Sequence, residues 1–478
     1  MKLVDTCRRS IVNAAKHNDA ACAGGLWSGT LGEAIRRPLK AGGLPSNLTA
    51  RVFAMKLSKV LIYIPSLLAL VLSSALVCAA DKKDNAYPNA TRKEPKLEMS
   101  RSDQRDLNKA ADLVNEDQDA EAQPLISKVV ANEHASKYAQ AFAHQLQAQV
   151  LWEQDKDDQA IAEYQKAVAL DALPNKAQFQ VIYQIAQLQI QQEKYADALA
   201  TLDQWSKLTG TETAQELALK GNAYYRMDKY QDAINAMKKA LAMADKANDS
   251  WMQILMASYF ELNQYDQAAL IVQQQIAKDP NNKKLYNQLA TIYIQGDKDD
   301  QALAAMAKAK TLGLITTNDD YLQLAKLSAA ANKPKDAAAT LKEGLDKNII
   351  KPSYDTYKLL GDVCIQASDD ACAMDALTKA SPLAPDGNSD YQLGYELYYA
   401  ERSKDAKEAL TRAITKGKLR QEGEAYLLRG DAESDLNQTK AALADWSRAR
   451  GFASTKTMAE QRIRATKGGV RLKRSKRK

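Results

Sequence analysis

The sequence predicts an all-α protein, a right-handed superhelical solenoid of about ten helical hairpins. Three observations predict it. Small residues return at a nearly fixed interval along most of the chain. Composition favours helix: Ala, Gln, Leu and Lys abound, while 478 residues include only 20 Gly and 12 Pro. Charged residues at 26% beside apolar residues at 45% exclude wholesale disorder. Five Cys exclude a scaffold built from disulfides.

The interval is set by Ala122, Ala160, Ala198, Ala233, Ala268, Ala302, Ala337, Ala373, Ala406 and Ala442, spaced 33 to 38 residues apart. A second small position lies twelve residues earlier, at Ala148, Ala186, Gly221, Ala290, Ala325, Gly361, Gly394 and Gly430. Two antiparallel helices approach closely only where side chains are small. The earlier small residue is therefore expected to face the later alanine across each hairpin. Larger apolar groups between them fill the space and pack on the next unit. In this register the pattern resembles the tetratricopeptide repeat, with small residues at positions 8, 20 and 27 and tyrosine at 11. It spans residues 103–451; Met256 at position 8 and Gln275 at position 27 depart from it.

The second half carries a narrower resemblance. Leu312-Gly313-Leu314-Ile315, Leu341-Lys342-Glu343-Gly344-Leu345, Asp386-Gly387-Asn388, Lys416-Gly417-Lys418-Leu419 and Ala425-Tyr426-Leu427-Leu428-Arg429-Gly430 follow in order, with Trp205-Ser206-Lys207-Leu208-Thr209-Gly210 upstream. These segments resemble exported tetratricopeptide proteins that accompany TonB and ExbB–ExbD energy-transduction systems in Gram-negative bacteria. The resemblance implies a periplasmic helper of that machinery, with TonB, ExbB or ExbD-type partners, and names no binding site. General cell-envelope assembly, or scaffolding of cell-wall enzymes, is the alternative within the binding class. An enzyme with an undetected catalytic segment is the alternative outside it.

Domain organisation follows from composition. Residues 55–80 have the layout of a signal peptide: Lys56 and Lys59, an uncharged run from Val60 to Val77, then small residues. Residues 1–54 then read as an over-extended start. An uncleaved membrane anchor facing the periplasm, or lipidation at Cys78, are the alternatives. All three export the body, because the positive flank stays in the cytoplasm. Residues 81–102, with Pro88 and Pro95, read as a flexible lead-in. Residues 452–478 read as a basic, largely disordered tail, with a net charge of +9 over 451–478. The body from 81 to 450 is acidic, at −9, which argues against nucleic acid as a partner. The tail is either a solvated end or a contact for anionic envelope surfaces.

No catalytic or metal site is expected, and no cofactor. His134 and His144 are ten apart, which suits no helical metal pair. Asp157-Asp158, Asp299-Asp300 and Asp369-Asp370 fall in the turn inside a hairpin and read as solvated caps. Cys364 and Cys372 flank one such turn and are candidates for a disulfide closing a nine-residue loop, two buried thiols being the alternative.

Binding is where this fold class points. Tyr391, Tyr395, Tyr398 and Tyr399 take positions 5, 9, 12 and 13 of one first helix and share a stripe facing the expected groove. They read as groove contacts or as packing between helices. Tyr183, Gln187 and Gln191 form a second, polar stripe, and Asn222 takes position 9 of its own unit.

Overall fold

The computed structural model describes residues 87–246 and 248–468. The expected over-extended start, the signal peptide with Cys78, residues 81–86 of the lead-in and the tail from residue 469 onward lie outside the described residues. The described residues fold into helices with no strand among them. No helix among them is long and apolar enough to cross a membrane.

Ten hairpins follow one another. The first five pair α1 (Arg101–Asn115) with α2 (Asp119–Val130), α3 (Lys137–Glu153) with α4 (Asp157–Ala169), α5 (Asn175–Gln191) with α6 (Tyr195–Thr209), α7 (Ala214–Arg226) with α8 (Tyr230–Met243), and α9 (Asp249–Glu261) with α10 (Tyr265–Lys278). The next five pair α11 (Lys283–Gln295) with α12 (Asp299–Thr311), α13 (Asn318–Ala330) with α14 (Pro334–Asp346), α15 (Tyr354–Gln366) with α16 (Asp370–Ala380), α17 (Asn388–Tyr399) with α18 (Ser403–Lys416), and α19 (Glu422–Asp435) with α20 (Thr439–Ala449). A last helix, α21 (Lys456–Lys467), packs on α20. The main helix–helix contacts run between helices one or two apart in sequence. That is the contact pattern of a repeat stack.

Every hairpin turns in the same way. One residue adopts a left-handed conformation, in order Asp117, Asp155, Glu193, Asp228, Asn263, Asp297, Asn332, Ser368, Glu401 and Asn437. Most are Asp or Asn, which tolerate that region better than other side chains. The next residue's N–H donates to the carbonyl five residues back, as from Lys156 to Leu151, Lys229 to Tyr224 and Gln438 to Glu433, at 2.8–2.9 Å. This closes the end of the first helix. Each turn residue lies five ahead of an alanine marker, so turn chemistry and small-residue spacing share one register.

The ten marker alanines are fully buried. The expected partner across the hairpin needs correction, however. A Cβ on Gly221, Gly361, Gly394 or Gly430 would meet Met237, Leu377, Leu410 or Trp446 at 2.6 to 3.0 Å. Each of those side chains lies four residues beyond the alanine marker, one turn further along the second helix. The nearest atoms to each glycine belong to that larger side chain and not to the alanine's, because the large side chain needs the room. Met256, the departure noted in the sequence, has Val272 at the matching position, and both are buried in one cluster.

Two expected boundaries also shift. The stretch read as a disordered tail contains α21, whose Arg462 makes two hydrogen bonds to Asp431 of α19, at 2.5 and 2.8 Å. Ala459 is its one fully buried residue, Ile463 packs partly buried beside it, and most of the other side chains are polar or charged, as suits the end of a stack. Within 81–102, read as a flexible lead-in, residues 87–95 lie against the second and third hairpins.

Candidate functional site

The tyrosine stripe of α17 is mostly filled from within. Tyr398 is 2% exposed, and Tyr391 is buried with its hydroxyl donating to Glu424 of α19 at 2.9 Å. Burial pushes the Tyr391 phenol above its ordinary range. Tyr395 and Tyr399 stay half-buried, their rings 4.6 Å apart. Tyr391 and Tyr398 thus take the packing alternative and are corrected as groove contacts. The cause is the neighbouring hairpins: Ile365 and Met374 from α15 and α16, and Leu428 from α19, join the same cluster.

The second stripe divides differently. Gln187 and Gln191 are exposed, while Tyr183 is half-buried with its ring 5.8 Å from Trp205. Asn222 is half-buried, and its Oδ1 has no hydrogen-bond partner among the described residues. The structure does not bring Asn222 to the tyrosines of α17, which lie five hairpins away.

Sequence reasoning missed a strap. Residues 87–95 run across the ends of α5 and α6. The Tyr87 ring meets Phe179 edge-on at 5.0 Å and Trp205 at 6.0 Å. The Thr91 N–H donates to the Leu208 carbonyl at 3.0 Å, and its hydroxyl donates to the Lys207 carbonyl. Arg92 donates through Nε to Asp171 at 2.6 Å, and through Nη1 to the Leu173 carbonyl and the Asn175 side chain. Asn175 returns a bond from Nδ2 to the Arg92 carbonyl. The Glu94 carboxylate accepts from the Asn175 N–H at 3.1 Å.

These bonds have a local cause. Helix ends leave backbone donors and acceptors unpaired. Pro174, ahead of α5, has no side chain to cap it, and Glu94 supplies the missing acceptor at the positive end of the helix. At the end of α6, Thr91 serves carbonyls the helix leaves open. Gly210 follows with φ of +62°, and the Asn89 carbonyl oxygen lies 2.1 Å from where its Cβ would stand. Only glycine admits the strap there. The sequence held one usable signal, the uncapped Pro174-Asn175 start; nothing in it pointed to a partner some 80 residues away.

Cys364 and Cys372 are joined as a disulfide across the α15–α16 turn, their Cα atoms 5.7 Å apart. His134 is exposed. His144 pairs with Glu163 at 2.6 Å. Asp158 and Asp300 are exposed and bind Lys194 and Lys333 of the following hairpins, and Asp369 caps α16 through the Cys372 N–H. Among the described residues no group of three or more His, Cys, Asp or Glu is placed to hold a metal.

A tetratricopeptide repeat family model matches residues 143–172 and 217–246. The first match holds most of α3 and α4, the second most of α7 and α8. The chain carries tetratricopeptide repeats. No curated protein matches it. Similar solved structures include a tetratricopeptide repeat protein from Parabacteroides merdae, at 18% identity and a TM-score of 0.34, covering 55% of this chain and 99% of that one. YrrB, described as having an unusual peptide-binding site, is 16% identical over 40% of this chain and 97% of its own, with a TM-score of 0.34. MamA from Desulfovibrio magneticus is 19% identical over 35% and 93%, with a TM-score of 0.29. Likenesses this distant add nothing to the fold read from the helices themselves.

Proposed function

We propose that the chain is a non-catalytic scaffold that binds polypeptide on the surface of its repeat stack, exported to the periplasm and supporting a TonB-type energy-transduction complex. The observation that carries the binding reading is the strap. Hairpins two and three hold an extended segment through side-chain bonds, backbone bonds and an aromatic contact together. A surface that can do this with its own chain has the groups needed to do it with another. Periplasmic placement is favoured by the apolar run at 60–77 and by the Cys364–Cys372 pair, which suits an oxidising compartment. The TonB system is favoured by the order of segments from Leu312 to Gly430.

The test is crosslinking in cells, with a photoreactive residue at exposed Gln187 or Gln191 and a control at exposed Leu270. The reading expects defined adducts with ExbB, ExbD or TonB-type proteins at the first two positions and none at the control. Equal labelling at all three, or none, contradicts it. Sequencing of the mature N-terminus in the periplasmic fraction tests export, with a start at Asp81 expected.

A further inference from the structure

The strap is an imperfect occupant of its site. Arg92 Nη2 is buried without a hydrogen-bond partner among the described residues, and so is Trp205 Nε1, in a side chain 3% exposed beneath the strap's tyrosine. Buried donors left unpaired weaken the complex that contains them. Much of the strap also stays open to solvent: Tyr87 and Arg92 are half-buried, whereas Thr91 and Glu94 make their bonds from exposed positions, and Pro88, Asn89 and Lys93 are exposed too. From Lys96 to Glu98 the chain is exposed again, until Met99 packs on the first hairpin.

We infer that the ends of α5 and α6 form a docking site for an extended segment bearing an aromatic side chain and, five residues later, an arginine, and that residues 87–94 are its resident occupant, displaced by a partner with that pattern. The chemistry of the site sets the pattern. Phe179 and Trp205 offer an aromatic seat. Asp171, the Leu173 carbonyl and Asn175 form an acceptor cluster matched to the fork of a guanidinium. Between these anchors the open Leu208 carbonyl takes a backbone N–H and the Lys207 carbonyl a side-chain hydroxyl. Gly210 lets the ligand backbone approach. A partner supplying an acceptor to Trp205 Nε1 gains a bond the strap does not make. Because the strap is tethered, it competes as a ligand at high local concentration. An incoming segment must therefore bind better than the strap, which makes the site selective.

This deepens the polypeptide-binding reading and rests on it. Its test needs only this chain, so it succeeds or fails apart from the crosslinks at Gln187 and Gln191. A fluorescent peptide of residues 87–97 is titrated into the purified full chain and into its Tyr87→Ala/Arg92→Ala variant, and followed by anisotropy. The variant, its site vacated, is expected to bind saturably, and the native chain about tenfold or more weakly. A peptide carrying Arg92→Ala is expected to bind the variant about tenfold more weakly than the parent peptide. Adding Gly210→Ala to the variant should abolish binding. The inference is overturned if the vacated chain retains native helix content yet binds no peptide. It is overturned equally if the arginine-less peptide binds as well as the parent. A native dimer by light scattering that Arg92→Ala dissolves would make a second copy the donor of the strap, and would also overturn the inference.

Discussion

Two aromatic clusters of this stack are covered in opposite ways. On α17, Tyr391 and Tyr398 are buried by the hairpins immediately before and after them. On α5 and α6, Phe179 and Trp205 are covered by Tyr87, roughly 90 to 120 residues upstream. A stripe of aromatics at helical spacing reports that one face of a helix is filled. It does not report what fills it. Cover from an adjacent repeat belongs to the cooperative core, whereas cover from a strap can leave without unstacking a hairpin.

The largest expected effect separates the two at once. Tyr398→Ala, which empties a fully enclosed site, should cost about 3 kcal/mol or more in urea unfolding, while Tyr87→Ala leaves the main transition nearly unmoved. Equal losses would mean the strap is part of the core. Next comes the covalent brace beside the tyrosine cluster. Reducing Cys364–Cys372, or replacing both by serine, should lower the stability of that region by about 2–3 kcal/mol on loop-closure grounds. Protection of the Tyr87 strap amides should not change.

Gly394→Ala probes the close approach on the same helix. Its Cβ would press on Leu410 at 2.6 Å, and overpacking of this kind costs about 1–3 kcal/mol. Leu410→Val should relieve much of that cost, so that the double variant loses less than the sum of the single ones. Strict additivity would show that positions 394 and 410 do not meet. The smallest effect is one of pH. Burial raises the Tyr87 and Tyr391 phenols above their ordinary 10.0. Unfolded or released, each loses its proton from about pH 10 upward, while the bound form still holds it. Their stabilisation is therefore complete below pH 10 and erodes above it. Tyr391→Phe should cost about 1 kcal/mol at pH 7 for the lost bond to Glu424, and that penalty should shrink as pH rises past 10.

Much of the stack was legible because it rests on local chemistry repeated in register. The marker alanines and the small residues twelve before them identified each hairpin. What they could not identify was the contact itself. Glycine at 221, 361, 394 and 430 is matched by a bulky residue at 237, 377, 410 and 446, a size trade that the alanine spacing does not express. The turn residues were partly hidden as well, since Glu193, Ser368 and Glu401 take the left-handed role beside the more telling Asp and Asn. The strap and α21 fell outside the period, and so were read as flexible. Their order comes from specific long-range bonds, Arg92 to Asp171 and Arg462 to Asp431, which leave no periodic trace. The tyrosines of α17 stay open between groove and packing in the sequence for the opposite reason. Their spacing is regular, yet the depth of burial depends on how closely the next hairpin nests.

The most direct measurement is hydrogen exchange at the Thr91 amide, which donates to the Leu208 carbonyl. If the repeat surface holds the strap, this amide exchanges slowly in the native chain and at the rate of a free peptide in Arg92→Ala, while the α17 amides are equally protected in both. Free-peptide exchange at Thr91 in the native chain would contradict the account.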